Sequence, residues 1–212
     1  MSLTAEKRAV ETGDAVTIAE GLSERIGAGA ARADAEDRFV AENYGLLKDA
    51  GLVEAGVPAE LGGGGAEVRE LAGMLRVLGR ACGSTALAFS MHTHQVAIPA
   101  WRWRHQKIAA VEPLLRRVAA ERIVLLSSGG SDWIAGSGTA VRVEGGYRVS
   151  GRKVFTSGAE AGDLLMTGAV LEEGGERFVL HFGAPMKAKE VRVEDTWHTL
   201  GMRGTGSHDV VI

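Results

Sequence analysis

Apolar residues recur at helical spacing through the first half of the chain: Val16, Ala19, Leu22 and Ile26 form one stripe, and Leu71, Leu75 and Leu78 another. The pattern predicts helices over residues 14–33, 35–50, 67–81 and 107–120, with one more starting at Ser84. Breaks are expected at Gly51, at Pro58 with the glycines after it, at Gly83 and near Pro99. After Arg122 the pattern changes to short runs of Val, Leu, Tyr, Phe and Thr between glycine turns, which predicts strands at 140–143, 147–149, 164–170, 178–181 and 191–193. Gly145-Gly146 and Gly174-Gly175 read as hairpin turns. Helices first and strands afterwards predict an α+β protein with two segregated units. These are an all-α N-terminal domain over 1–121 and an antiparallel, β-barrel-like domain over 122–212. Asp209-Val210-Val211-Ile212 reads as a strand just beginning, so a shortened chain or a longer natural protein is expected.

Composition narrows the class. At 212 residues and 45% hydrophobic content the chain can bury a sizeable core. Its 24 basic and 27 acidic side chains are interspersed and leave a net charge of −3, so there is no basic field to collect nucleic acid, which is excluded as a partner. Cys82 is the only cysteine, which rules out an internal disulfide and fits a reducing compartment; the cytoplasm is the expected location. Residues 1–10 carry alternating charge with no apolar signal core, and no run approaches the ~18 apolar residues of a membrane span. Neither secretion nor a membrane partner is expected. The 30 glycines are concentrated from Gly129 onward and in the run 62–65, as tight turns between strands require.

Two segments carry candidate chemistry. In Ile123-Val124-Leu125-Leu126-Ser127-Ser128-Gly129-Gly130-Ser131-Asp132 an apolar strand opens into hydroxyls and glycines, which let a phosphate or ring edge approach backbone N–H donors. Taken alone, it reads as an ordinary Ser/Gly turn. In Gly151-Arg152-Lys153-Val154-Phe155-Thr156-Ser157-Gly158 a strand ends in an aromatic followed by two hydroxyls, which suits a planar ring with polar edges. Taken alone, Phe155 reads as a core residue.

In this order the two segments resemble the middle domain of the acyl-CoA dehydrogenase family, with its Thr-Glu-Pro to Gly-Ser-Asp strand end and its later Lys-x-Trp/Phe strand. Val57-Pro58-Ala59-Glu60-Leu61-Gly62-Gly63 resembles the family's loop between N-terminal helices. Gly83-Ser84-Thr85-Ala86-Leu87, followed by His92, resembles the next helix start. Asp195-Thr196-Trp197-His198-Thr199-Leu200-Gly201-Met202-Arg203-Gly204-Thr205-Gly206-Ser207-His208-Asp209-Val210 resembles its Leu-Gly-x-Arg-x-Ser/Thr segment. The resemblance implies FAD, or alternatively FMN, as cofactor. Ser127 and Ser128 would lie near the flavin pyrimidine, Gly130 and Ser131 by the pyrophosphate, Phe155 by the isoalloxazine, and Thr156 and Ser157 at its N5 edge. Here Ser-Ser-Gly stands in place of Thr-Glu-Pro, and the strand-end loop is shorter.

The activity implied is α,β-dehydrogenation of an acyl-CoA thioester, with an electron-transfer flavoprotein as partner and a homodimer or homotetramer as the assembly. A two-component flavin monooxygenase fed by a flavin reductase is the alternative on the same fold. A non-catalytic fragment or interaction module is another. The family's catalytic glutamate belongs to a C-terminal helical bundle absent from these residues, so no catalytic residue is assigned and the chain alone is expected to be inactive.

His92 and Arg203 are the candidates for substrate contact. His92 and His94 point to different helix faces with no ligand-spaced partner, so a metal is not expected and His92 reads as a core or pocket-lining ring. Arg203 reads either as a fork for an anionic ligand or as an ion-pair partner of Glu194 or Asp195. Trp101-Arg102-Trp103-Arg104-His105 reads as a helix-end packing feature, Cys82 as a small buried residue, and neither a Rossmann nor a P-loop pattern finds its context.

Overall fold

The computed structural model describes residues 14–212; the expectation for residues 1–10 lies outside them. Helix α1 (Ala15–Ala28) is capped by Asp14, whose carboxylate accepts from the N–H groups of Val16 and Thr17, both at 2.9 Å. Its stripe of Ala19, Leu22 and Ile26 is buried. The helix expected to run to residue 33 divides at Gly29, and α2 (Ala30–Ala35) continues separately. Gly27 is packed with the carbonyl of Ala81 only 3.3 Å from where a Cβ would stand. Gly27 serves close packing of α1 on α4 (Val68–Ala81) and weakens the helix that carries it. Helix α3 (Ala41–Asp49) starts six residues later than expected because Asp37 adopts φ +51° and Phe39 and Val40 turn into the core.

The loop from Leu52 to Ala66 is a tight knot in which Gly64 donates to the carbonyl of Glu54 and Gly65 to that of Val57. At Gly63 a Cβ would sit 2.3 Å from the Cβ of Val57, so no other residue fits. Helix α5 (Gly83–Gln106) runs straight through Pro99, against the expected break. Pro99 removes one backbone donor, yet Val96 and Ala100 on either side are buried and the helix continues across it. Left-handed Lys107 ends α5, and a 3-10 turn over Ala109–Val111 delays α6 to Glu112–Glu121. The Trp101 to His105 run sits in the last turns of α5, with Trp103 donating to Glu112 and Arg104 to the carbonyl of Gly65.

The strand region departs from an antiparallel barrel. Strand β1 (Leu125–Ser127) leads through the short helix α7 (Ser131–Ile134) to the hairpin of β2 (Thr139–Val143) and β3 (Gly146–Ser150). Then come β4 (Arg152–Lys153), the long hairpin of β5 (Leu164–Glu173) and β6 (Glu176–Pro185), β7 (Arg192–Glu194) and β8 (Asp209–Val211). β6 covers one edge of β5 along its whole length. β1 and β2 share the other edge and both run parallel to β5, opposite Leu164–Met166 and Val170–Leu171. A second sheet orders β4, β8 and β7, all antiparallel. The α+β class stands, but the larger sheet is mixed and the two sheets close no barrel among the described residues. Alternating burial identifies a strand, whereas the long connections from β1 and β2 to β5 permit parallel pairing that local pattern does not encode.

One apolar core joins the helices to the sheets, with Leu47, Met74, Leu78 and Phe89 in the same cluster as Leu125, Leu126, Leu165 and Val210, and a smaller cluster of Ala140, Ala169 and Leu171 lies within the larger sheet. Among the described residues no helix is long and apolar enough to cross a membrane, and no group of side chains is placed to hold a metal ion.

Candidate functional site

The two segments singled out in the sequence meet. The N–H of Gly129 in the turn after β1 donates to the carbonyl of Val154 after β4 at 2.9 Å. The next residue, Phe155, takes φ +56° and is 60% exposed, with the Trp197 ring edge-on at 6.1 Å. A left-handed non-glycine residue costs on the order of 1 kcal/mol, and an exposed aromatic gains nothing from burial. Both features are held by surrounding structure: Thr156 donates to the carbonyl of His208, and Gly158 to that of Thr205. Gly158 has φ +77°, and a Cβ there would meet the Tyr44 hydroxyl at 2.8 Å. With exposed Val154, Leu200 and Met202 nearby in sequence, the rings of Phe155 and Trp197 make an apolar platform at a strand end.

The hydroxyls behind this platform are mostly engaged within the protein. Ser127 donates to the carbonyl of Ser128 and accepts from the Trp133 indole at 3.0 Å. Ser128 shares a 2.8 Å bond with Thr167, which donates to Asp132. Ser157 bonds Ser207 at 2.8 Å, and Ser207 bonds Thr205 at 2.7 Å. The Thr156 hydroxyl is buried with no partner, which leaves one polar group beneath the platform unsatisfied. Gly130 and Ser131, in contrast, are exposed at the turn. The outward surface is therefore the Phe155 ring and the backbone around Gly130 and Ser131, while Ser127 and Ser128 turn their side chains inward.

The two substrate-contact candidates take other positions. His92 is buried in α5, where Leu125 donates to Nδ1 at 3.0 Å and Nε2 stands 2.8 Å from the carbonyl of Val53. The proton must then lie on Nε2, both nitrogens are engaged, and burial pushes the pKa down to about 4. His92 is a strut between α5, the 52–66 loop and β1, with no nitrogen left for a substrate, which corrects that expectation. Arg203 forms no ion pair with Glu194 or Asp195; its Nε donates to the carbonyl of Thr199 and its Nη1 to that of Asp34, both at 2.9 Å. It lines a cavity of about 330 Å³ with Asp37, Glu160, Asp195, Trp197 and His208.

Two family models cover nearly all of the described chain: the acyl-CoA dehydrogenase N-terminal domain matches residues 15–116 and the acyl-CoA dehydrogenase middle domain residues 127–212. The chain belongs to the acyl-CoA dehydrogenase family. Within that family it is 32% identical over 190 residues to the putative acyl-CoA dehydrogenase YdbM of Bacillus subtilis, covering 86% of this chain and 49% of the relative. It is 29% identical to the dibenzothiophene monooxygenase of Mycolicibacterium goodii, covering 92% and 48%. The solved structure of KijD3 in complex with FMN and a dTDP-linked amino sugar superposes with a TM-score of 0.82 at 29% identity, over 96% of this chain and 52% of that one. The chain thus spans about half the length of the curated relatives it matches.

Against this family frame, several residues at the site went unassigned in the sequence. Lys153, Asp132 and Thr167 are buried behind the Ser127–Ser131 turn, and Trp197 meets Phe155 from 42 positions away. His208 accepts the N–H bonds of Thr196 and Trp197 on Nδ1, at 3.1 and 3.2 Å, and so shapes the turn that presents Trp197. The one signal available was that Lys153, Trp197 and His208 all fall inside the motifs that carry the family resemblance.

Proposed function

We propose that this chain is the flavin-binding half of a flavin-dependent oxidoreductase. The Phe155 ring covers the isoalloxazine, the backbone of Ser127 and Ser128 faces its pyrimidine edge, Gly130 and Ser131 meet the phosphate, and Thr156 and Ser157 lie toward the N5 edge. The observation that carries this reading is the exposed, left-handed Phe155, paired edge-on with Trp197 directly beside a glycine-serine turn. The orphaned Thr156 hydroxyl below it also fits a polar-edged ring better than an apolar ligand.

A bound flavin supplies two-electron redox chemistry, and in its reduced form reaction with dioxygen. The platform contributes apolar surface that keeps water from one side of the ring, and the turn contributes N–H donors for developing negative charge. Either FMN or FAD suits the turn. Oxygenation of a small molecule, with reduced flavin delivered by a reductase partner, is favoured by the likeness to the dibenzothiophene monooxygenase and to FMN-bound KijD3. Acyl-CoA dehydrogenation, with an electron-transfer flavoprotein as partner, is the second reading and is favoured by the likeness to YdbM. A homo-oligomer fits either.

Titrating FMN against the chain tests the common part. Flavin fluorescence should be quenched on binding, and Phe155→Ala should weaken binding about tenfold, equivalent to ~1.4 kcal/mol of lost ring contact. An unquenched flavin, or equal affinity in F155A, would refute the assignment. Oxygenated product from supplied reduced flavin, against anaerobic bleaching by an acyl-CoA, then separates the two activities.

A further inference from the structure

The shared edge of β5 has a gap. β1 ends opposite Met166 and β2 begins opposite Val170, so Gly168 between them faces neither strand. Lys153 fills that gap. Its side chain is 2% exposed, and Nζ donates to the carbonyl of Gly168 at 2.5 Å, to the carbonyl of Ser137 at 2.7 Å and to the Ser137 hydroxyl at 3.1 Å. The Asp132 carboxylate, 3% exposed, lies 3.7 Å away. Asp132 in turn accepts from Thr167, whose hydroxyl meets that of Ser128. One ammonium thus ties the end of β4 to the α7–β2 loop and to β5, and through the Asp132 carboxylate and Thr167 it connects to Ser128 in the β1–α7 turn. A Cβ on Gly168 would stand 2.6 Å from the carbonyl of Asp132, so α7 and β5 already approach as closely as backbone allows.

We propose that Lys153 is the positioning residue of the flavin site, holding the Ser127–Ser131 turn at a fixed spacing from Phe155 through Asp132, Thr167 and Ser128. The proposal rests on the flavin reading above. Lys153 lies two residues before Phe155, and Gly129 bonds Val154 between them, so displacement of the ammonium moves both walls of the site relative to each other. Apolar side chains of similar volume often serve stability as well as a buried ion pair. What they lack is directionality: three donors satisfied by Ser137 and Gly168, with a carboxylate alongside, fix one placement of the turn where a methionine would allow several.

The test uses FMN with the chain and three variants: K153M, the double variant K153M/D132N, which leaves no unpaired charge, and Thr167→Val, which cuts the link from Asp132 to Ser128 while both charges remain. FMN affinity, the visible circular dichroism of the bound flavin and the thermal midpoint are read for each. The double variant should keep a midpoint close to native yet bind FMN about tenfold more weakly with an altered visible dichroism, and T167V should lose affinity severalfold with the same spectral change. Native affinity and dichroism in T167V overturn the proposal, whether or not the double variant folds; so do native values in a folded double variant. If the unaltered chain binds no FMN, the flavin reading itself fails and the proposal falls with it, whereas binding by the native chain with indifferent variants removes Lys153's role alone.

Discussion

At the scale of single residues, burial decides roles that sequence position leaves open. His92 is the clearest case, because a histidine within a helical stripe reads equally as core or as pocket lining until its two backbone partners are known. Lys153 was illegible for a related reason: a lysine in a strand is ordinarily solvated, and only the gap at Gly168, made by strands distant in sequence, draws it inside. His92 yields a prediction with a definite sign. Its folded pKa is depressed to about 4 from an ordinary 6.5. Between those values the unfolded chain binds the proton and the folded chain does not. The stability held by neutral His92 is therefore complete above pH 6.5 and is lost progressively as pH falls toward 4, by up to about 3 kcal/mol. Urea midpoints of the native chain and His92→Gln, compared from pH 7.5 to 4.5, should converge toward the acid end. Curves that stay parallel would mean that His92 is not held neutral.

At the scale of elements, helix existence was legible and helix ends were not. Stripes such as Ala19, Leu22 and Ile26 located α1, whereas the late starts of α3 and α6 follow left-handed turns at Asp37 and Lys107 that periodicity does not encode. Pro99 misleads in the opposite direction, since burial on both sides outweighs one missing backbone bond. The segment 195–208 was legible as a motif but not as a structure. It is anchored at one end by Arg203 on the carbonyl of Asp34 and by His198, whose Nδ1 lies 2.9 Å from Asp37 and Nε2 3.4 Å from Asp195. The hydrogen bond to Asp37, and then the charge of Asp195, raise the His198 pKa. A raised pKa places this tether's contribution fully below pH 6.5 and removes it as pH rises through the folded value. Because His198 follows Trp197 directly, acrylamide quenching should report the change in a variant that retains Trp197 as its sole tryptophan. Accessibility should rise as pH climbs from 6 through the raised folded value, and His198→Ala should be accessible throughout. A native response flat from pH 6 far into the alkaline range would show that Asp37 and His198 do not hold the segment.

At the scale of the whole molecule, the α+β class was legible because helical and strand periodicities occupy different halves of the chain. The mixed sheet was not, since parallel pairing of β1 and β2 with β5 is set by connections that carry no periodic signal. Nor does a change of periodicity at residue 121 by itself make two cooperative units. Phe89 and His92 of α5 stack at 5.3 Å, His92 accepts the N–H of Leu125, and Leu125, Leu126, Leu165 and Val210 share one buried cluster with Leu47, Met74 and Leu78. Removing the helices would expose the apolar side of β1 and β5 and strand the backbone donor of Leu125. Such exposure is what makes an isolated piece marginal and prone to associate. The chain should therefore unfold in one transition, with far-ultraviolet dichroism and tryptophan fluorescence following the same urea curve, and residues 122–212 produced alone should lack that transition. Trp101 and Trp103 report on the helices and Trp133 and Trp197 on the sheet region, so the optical test samples both sides of residue 121. Two resolved transitions, or a sheet region that folds unaided, would show that the shared core is a contact between independent domains, and would restore the division at residue 121 as a thermodynamic boundary.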